Sequence, residues 1–569
     1  MSVIVCMGSG RLLDNFMARM DHDPADTLPL YVSLQGPVAK RLLMENSYDE
    51  IPYESHAFAQ THPDRLAVMA TLFGLSPRPV TSCRVLELGC AAGGNLIPMA
   101  WHLPQSTFVG LDLSSRQVRD GCEVIEKLGL ANVQLHVMDI TQVDQRLGRF
   151  DYILCHGVYS WVPEPVQQAI LRICHDLLEP EGVAYISYNT YPGWRMRQMI
   201  RDMMLYHARQ FDTPQRQLDG ARTLIAFLNA HVAKDNAYGL LLDQELAILE
   251  ESGDYYLLHD HMEKINLPCY FHEFIERAGG QGLAYLGEAD LGSMLVETFP
   301  DEVKRQLSLL SSDRVHLEQY LDFLHNRQFR QTLLAHPQAL RMQAPQPLQL
   351  RHLLICAELD RENVNDAIAG NAPVRFVASN GVVVTSADPL VKAALVVLAK
   401  SFPSSMGLDV LYRAALEHLG KQPEPGREAA NLRILGEALL EFHGAGAVEL
   451  HSYEGYPFST DQDASDTLRV TALARVYAQR SIMVPGRWHE AVNLGLLGQR
   501  ALLLMDGRHS VSQVKQGLLG AVRQDELGLT DSEGREVHDP AEQGELIDAF
   551  LQDLMGIFRR HGFLMTQQG

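Results

Sequence analysis

Val85-Leu86-Glu87-Leu88-Gly89-Cys90-Ala91-Ala92-Gly93-Gly94-Asn95 decides the fold: an apolar run, a turn of small residues, then a helix expected over residues 95–102. Small residues at 89, 91, 93 and 94 let a ligand approach the backbone, and the following helix points unpaired N–H groups at it, so an anionic group can settle there. Glu87 stands two residues before Gly89, where a buried parallel strand normally carries an apolar side chain. A carboxylate held at the carboxyl end of such a strand is there to meet a cation.

Working outward, Phe108-Val109-Gly110-Leu111-Asp112 is a second apolar run that ends in an acid 23 residues past Gly89, the spacing of a ribose-binding carboxylate. The alternative for Asp112 is a cap for the helix that starts near Ser114. Gly89, Ala91 and Gly94 also satisfy a relaxed G-x-A-x-x-G dinucleotide pattern, so Glu87 is the discriminator. A carboxylate repels a pyrophosphate, whereas S-adenosylmethionine presents an ammonium and a carboxylate on one short arm. Val133-Gln134-Leu135-His136-Val137-Met138-Asp139-Ile140 reads as a third strand, with Asp139 placed for an adenine amino group. Residues 150–155 and 182–188 read as a fourth and fifth strand. They open into His156-Gly157-Val158-Tyr159-Ser160-Trp161 and Asn189-Thr190-Tyr191-Pro192-Gly193-Trp194.

In this order, strand, acid and turn resemble class I S-adenosylmethionine-dependent methyltransferases, with Ala91 in place of the middle glycine of their motif. A closer resemblance is to bacterial methyltransferases with a methyltransferase regulatory domain, among them protein-lysine methyltransferases acting on outer-membrane proteins. It is carried by Ser47-Tyr48-Asp49-Glu50-Ile51-Pro52-Tyr53, Thr61-His62-Pro63-Asp64-Arg65-Leu66, residues 155–163 and Ser187-Tyr188-Asn189-Thr190-Tyr191-Pro192-Gly193-Trp194. Glu318-Gln319-Tyr320-Leu321-Asp322-Phe323 and Arg327-Gln328-Phe329-Arg330-Gln331-Thr332-Leu333-Leu334 extend it, so that it spans residues 45–340. The resemblance implies S-adenosylmethionine as cofactor. Its expected contacts are Glu87 (methionine ammonium), Gly89, Ala91, Gly93 and Asn95 (carboxylate and ribose side), Asp112 and Leu113 (ribose), Asp139 and Ile140 (adenine), and Cys155 at the end of the fourth strand.

The whole chain sets bounds on this reading. At 569 residues it exceeds what one hydrophobic core supports, and 46% hydrophobic with 21% charged residues is an ordinary globular composition. With 48 Lys plus Arg against 70 Asp plus Glu, the net charge of −22 argues against a nucleic-acid partner or an anionic membrane surface; its other reading is plain solubility. Eight single cysteines with no C-x-x-C pair predict neither a disulfide framework nor a zinc site. His259-Asp260-His261 is spaced awkwardly for a shared metal, so no metal is expected. No bilayer-spanning run or secretory core is visible, and a cytoplasmic location is expected.

The expected fold class is α/β: a Rossmann-like class I methyltransferase sheet with a helical insertion, followed by helical and winged-helix-like C-terminal domains. The boundaries are an extension at 1–44, the methyltransferase domain at 45–300 with its insertion at about 195–253, a helical regulatory segment at 301–345, a winged-helix-like regulatory domain at 346–455 and a winged-helix-like C-terminal domain at 456–569. The last strands of the sheet are expected from residues 254–300. Residues 49–55 are expected to lie over the cofactor. Met196, Ile200, Met203, Met204 and Tyr206 share one stripe of the insertion, a core face or a homodimer seam. Residues 374–385 read as a hairpin around Asn380-Gly381, and residues 525–544 as an acidic loop. The winged-helix-like units lack a basic recognition helix. Within them Arg487-Trp488-His489 reads as a docking point or as a turn packed on its local core.

Methyl transfer needs a neutral nucleophile placed in line with the departing sulfur and shielded from water. For lysine, with a pKa near ~10.4, deprotonation at neutral pH costs about 4 to 5 kcal/mol, which a dry aromatic pocket lowers. The catalytic candidates are Tyr159, Trp161, Tyr191 and Trp194 as pocket or core, His156 as proton acceptor or loop anchor, and Asn189 as amine-orienting group or backbone cap; Tyr188, still on its strand, is assigned to the core. The resemblance implies a protein substrate as partner, an outer-membrane protein before export. Small-molecule methylation and a non-catalytic S-adenosylmethionine sensor are the alternatives. DNA amino-methylation and cytosine methylation are disfavoured by Cys155-His156-Gly157-Val158.

Overall fold

The computed structural model describes residues 55–251, 261–296, 299–455, 467–524, 526–530 and 535–565. The extension at 1–44, residues 49–54 of the expected lid, and His259 and Asp260 lie outside the described residues.

Helix α1 (Pro63–Leu72) opens the described sheet region; His62 caps it by accepting the Asp64 N–H at Nδ1, and Pro63 sits in the first turn, where its missing N–H costs nothing. The sheet then builds as β1 (Arg84–Leu88), α2 (Leu96–His102), β2 (Thr107–Asp112), α3 (Ser115–Leu128), β3 (Val133–Val137), β4 (Phe150–Cys155), α4 (Glu164–Leu177) and β5 (Leu178–Asn189). These five strands are parallel, and their buried apolar runs face helices on both sides. Ser114 caps α3, and Gly129 closes it in the left-handed conformation.

The insertion is three helices, α5 (Trp194–Ala208), α6 (Pro214–His231) and α7 (Ala237–Glu251), around a small core of their own. The expected stripe on α5 divides: Ile200 and Met204 are buried in that core, while Met196 and Tyr206 are exposed.

After α8 (Phe271–Gly280) comes β6 (Ala284–Glu288), then α9 (Asp301–Leu310), α10 (Arg314–His325) and β7 (Phe329–Ala335). The sheet order is β3-β2-β1-β4-β5-β7-β6, with β7 antiparallel to both neighbours. This corrects two expectations. Residues 301–345 are not all helical, and the strand beside β5 comes from 329–335 rather than from 254–300. The reason is Arg330, the second residue of β7, which is 1% exposed. Its guanidinium donates to Glu288 (2.7 Å), Glu318 (3.1 Å) and Asp322 (2.9 Å) and stacks on Phe271, so a residue that looks polar belongs to the interior. The quoted motif at 318–334 is largely this ion cluster.

Downstream lie β8 (Leu354–Cys356), β9 (Leu359–Arg361), the hairpin β10 (Val374–Ala378) and β11 (Val383–Ser386), α11 (Pro389–Ser401), β12 (Met406–Gly407), α12 (Leu408–His418), α13 (Glu428–Gly444) and β13 (Glu449–His451). Their core is continuous with the face of the sheet covered by α1. Residues 343–348, at the expected boundary between the regulatory segment and the next domain, are pinned to α1 by the Gln346 N–H on the Leu72 carbonyl. The last unit comprises β14 (Thr467–Arg469), α14 (Ala472–Ala478), β15 (Met483–Pro485), β16 (Ala491–Asn493), α15 (Gly495–Leu504), β17 (Asp506–Ser510), α16 (Val511–Arg523) and α17 (Pro540–Arg560), with a separate core. Helix α17 begins at Pro540, capped by Asp539, so residues 540–544 are helix and not acidic loop.

Candidate active site

Glu87 is 3% exposed at the end of β1. Asn95 Nδ2 donates to its Oε1 at 2.7 Å, whereas Oε2 is enclosed with no hydrogen-bond partner among the described residues. Burial, together with the nearby Asp112, pushes the Glu87 carboxyl up to about 8. A half-satisfied buried acid of this kind keeps its proton until a cation beside it favours the charged carboxylate.

The glycine turn is shaped as its composition suggests. Gly89 and Gly93 take φ of +78° and +71°, and Ala91 takes +48° despite its Cβ. A Cβ at Gly89 would lie 2.4 Å from Val158, so the loop after β4 closes directly on the turn. A Cβ at Gly94 would lie 2.1 Å from the Ser55 carbonyl, and the Gly94 N–H donates to Ser55 Oγ at 2.8 Å. Ser55, the described end of the expected lid, is thus on the turn.

Asp112 accepts the Ala91 N–H and the Ser114 N–H, both at 2.8 Å. It therefore braces the turn and the entry to α3, close to the capping alternative, although the cap residue itself is Ser114. Leu113 beside it is 43% exposed, an apolar face at the edge of the site. Asp139 accepts from the Thr141 N–H and hydroxyl through Oδ1. Ile140 is partly buried.

Two cofactor candidates occupy other places. Cys155 is fully buried in the core beneath the sheet, so its side chain packs and does not face a ligand. Asn95 leaves its own helix uncapped and turns its side chain to Glu87, acting behind the carboxylate.

Of the catalytic candidates, Tyr159 is corrected to core. The short helical turn 159–161 sends it inward against Phe274 (5.2 Å) and Tyr188 (6.1 Å), while Trp161 turns outward. Trp161 meets Trp194 edge-on at 6.1 Å, and the buried indole N–H of Trp194 has no partner among the described residues. Tyr191 pairs with Tyr270 at 5.3 Å and carries the Arg195 guanidinium 3.7 Å over its face; Arg197 lies 5.4 Å over Trp194. His156 is held by the Tyr185 hydroxyl at 2.9 Å, with Phe58 at 4.1 Å between ring centres. Burial lowers its pKa to about 4, which suits the loop-anchoring alternative better than proton acceptance. Asn189 donates its N–H to Ser160 Oγ and its side-chain amide to Asn266, which leaves the side-chain carbonyl for another donor.

Sequence reasoning missed Tyr270, Phe58 and Asn266, which reach the site from other segments and carry no local motif, and Tyr185, whose hydroxyl holds His156 from within the fifth strand. All seven described cysteines are buried free thiols. Among the described residues Cys356, Glu449 and His451 cluster, but His451 is already paired with Asp64 at 2.8 Å and with Glu449.

Three family models match the chain: "Methyltransferase domain" over residues 80–244, "Predicted methyltransferase regulatory domain" over 253–336, and "PKMT, C-terminal winged helix domain" over 469–563. The regulatory match includes β6 and β7, so that region completes the sheet. The chain is 32% identical over 535 residues to the uncharacterized protein RP789 of Rickettsia prowazekii, covering 91% of this chain and 94% of that protein. It is 41% identical over 233 residues to RP028 of the same organism, which is 41% of this chain and 93% of that protein. Among solved structures, PKMT2 from Rickettsia typhi in complex with AdoHcy matches at a TM-score of 0.77 and 29% identity, over 90% of this chain and 100% of that one. A half-satisfied acid at the end of β1, a small-residue turn and these full-length matches agree: the chain belongs to the class I S-adenosylmethionine-dependent methyltransferases that carry a methyltransferase regulatory domain.

Proposed function

We propose that this chain transfers methyl groups from S-adenosylmethionine to lysine side chains of a protein. The observation that carries the reading is its full-length likeness to PKMT2, whose initials we take as protein-lysine methyltransferase, reinforced by the PKMT winged-helix match at residues 469–563.

The donor half of the site fits the cofactor. Glu87 Oε2 is the buried acceptor an ammonium would satisfy; the N–H groups of Gly89, Cys90, Ala91 and Gly93 are spent on Leu111, Asp112 and Cys90, so what the turn offers is close approach to its small-residue backbone. Asp112 suits the ribose hydroxyls, with Leu113 beside it, and Asp139 with Ile140 the adenine. When bound, S-adenosylmethionine supplies a methyl group on a positively charged sulfur.

The acceptor half must hold a lysine whose proton has left. Trp161, Tyr191, Trp194 and Tyr270 exclude water from its approach. Arg195, stacked on Tyr191, disfavours a second cation beside it and so lowers the pKa of an entering lysine, whereas the charge of Arg197 over Trp194 is balanced by Glu245 at 3.5 Å. Asn189 can orient the resulting amine through its carbonyl oxygen.

The proposed substrate is an outer-membrane protein met in the cytoplasm before export. No described helix is long and apolar enough to cross a membrane. The insertion, with Met196, Met199 and Tyr206 exposed on α5, is proposed as the seam of a homodimer, which light scattering would check. The deciding experiment incubates the enzyme and methyl-labelled cofactor with cell protein and analyses the acid hydrolysate. Methyl-lysine supports the proposal. Label confined to small metabolites points to small-molecule methylation, and binding without turnover to a sensor.

A further inference from the structure

Asn95 joins three distant parts of the chain. Its Nδ2 donates to Glu87 Oε1 at 2.7 Å. Its Oδ1 accepts the Phe58 N–H at 3.1 Å, and the Thr61 hydroxyl lies 3.1 Å from the same oxygen. The third group at that oxygen is His489 Nε2, at 2.7 Å, from a residue 394 positions away in the last unit. Because a backbone N–H can only donate, the Phe58 contact fixes which end of the Asn95 amide is oxygen. His489 Nε2 must then carry a hydrogen.

His489 is built to make this contact. It sits in the turn between β15 and β16 at φ +63°, in the left-handed region that a Cβ disfavours, and its N–H donates to the Gly486 carbonyl. Backbone strain of this kind concentrates at functional positions. The side chain is 1% exposed, and Nδ1 has no partner among the described residues. Burial holds its pKa well below the usual value, so the ring is neutral and can place one hydrogen on Nε2 without adding a charge near Glu87.

The neighbouring residues lock the turn onto the sheet region. Trp488 stacks on His451 at 4.4 Å, and His451 Nδ1 lies 2.8 Å from Asp64 on α1. Arg480 of the same unit reaches Glu123 on α3 at 3.1 Å. Arg487-Trp488-His489 is therefore a turn packed within the chain, with Trp488 and His489 against the sheet region.

We propose that His489 is a positioning residue of the cofactor site: through Asn95 it holds Glu87 for the amino-acid arm of the cofactor, so that binding of that arm is coupled to docking of the C-terminal winged-helix unit. The proposal rests on the cofactor reading above. Linkage makes the coupling reciprocal, so a bound amino-acid arm strengthens the docking of that unit.

The test compares two probes by calorimetry on the full chain: S-adenosylhomocysteine, which has the amino-acid arm, and 5′-methylthioadenosine, which lacks it. His489→Ala is expected to weaken S-adenosylhomocysteine about tenfold, the loss of one buried hydrogen bond, while leaving 5′-methylthioadenosine unchanged. His489→Gln, which keeps a donor, restores part of the loss. Arg480→Ala, which loosens an exposed docking contact, preserves the ratio between the two probes more closely than His489→Ala. In the unmodified protein, S-adenosylhomocysteine should slow hydrogen exchange at residues 483–493 and 5′-methylthioadenosine should not. Equal losses for both probes in His489→Ala, or no change in exchange on binding, would overturn the proposal. Failure of the unmodified protein to bind S-adenosylhomocysteine at all would instead overturn the cofactor reading, and this proposal with it.

Discussion

Arg330 and Glu87 are both enclosed by the seven-stranded sheet region, at 1% and 3% exposure, but their surroundings answer them differently. Arg330 meets Glu288, Glu318 and Asp322 within one cluster, and Glu288 also accepts the Gln331 N–H and the Thr332 hydroxyl. Glu87 has one oxygen on Asn95 and the other on nothing described. Removing a charge from water costs several kcal/mol, so a protein retains such a group when its partners are internal or when a ligand supplies them. The first cluster is architecture, fastening β7 to β6 and α10; the second leaves an acceptor open, as the proposed cofactor site requires.

The largest effect that would test this contrast is on stability. Arg330→Ala leaves three carboxylates in one buried cluster without their central cation, and about 3–5 kcal/mol of stability is expected to be lost. The midpoint of denaturant unfolding measures it. Glu87→Gln should do the reverse: little change or a gain in the stability of the cofactor-free protein, with roughly a hundredfold loss in S-adenosylhomocysteine affinity, about 2.7 kcal/mol. If the two variants behaved alike in both assays, the distinction between architecture and site would dissolve.

A smaller effect is expected at the turn between them. Ala91 pays for its left-handed φ, so Ala91→Gly should stabilise the fold by about 0.5–1 kcal/mol, read as a raised midpoint with the cofactor contacts kept.

The same contrast explains what the sequence could reveal. Strands β1 to β4 and the acids Glu87, Asp112 and Asp139 were legible because β1, β2 and β4 are mostly apolar and the acids fall at or just past the carboxyl ends of β1, β2 and β3. β7 was not, because the partners that let Arg330 lie inside come from residues 288, 318 and 322. Tyr159 and Trp161 are two residues apart on one aromatic loop, and only the helical turn over 159–161 decides that the first is buried in the core and the second is not. Asn95 read as a cofactor contact because the helix start is local information. Its bond to His489 spans 394 residues and leaves no spacing to detect.

The most direct measurement of the central claim is the proton balance of cofactor binding. A buried acid whose pKa is raised to about 8 binds its proton more tightly in the folded than in the unfolded chain. Glu87 therefore stabilises the cofactor-free fold at low pH, a contribution lost as pH rises from its unfolded value through about 8. An ammonium beside Oε2 reverses this by favouring the charged carboxylate. Calorimetry of S-adenosylhomocysteine near pH 7, in two buffers of different ionisation enthalpy, should show release of close to one proton by the unmodified protein and almost none by Glu87→Gln. Buffer-independent heats in the unmodified protein, with affinity unchanged in the variant, would contradict the account.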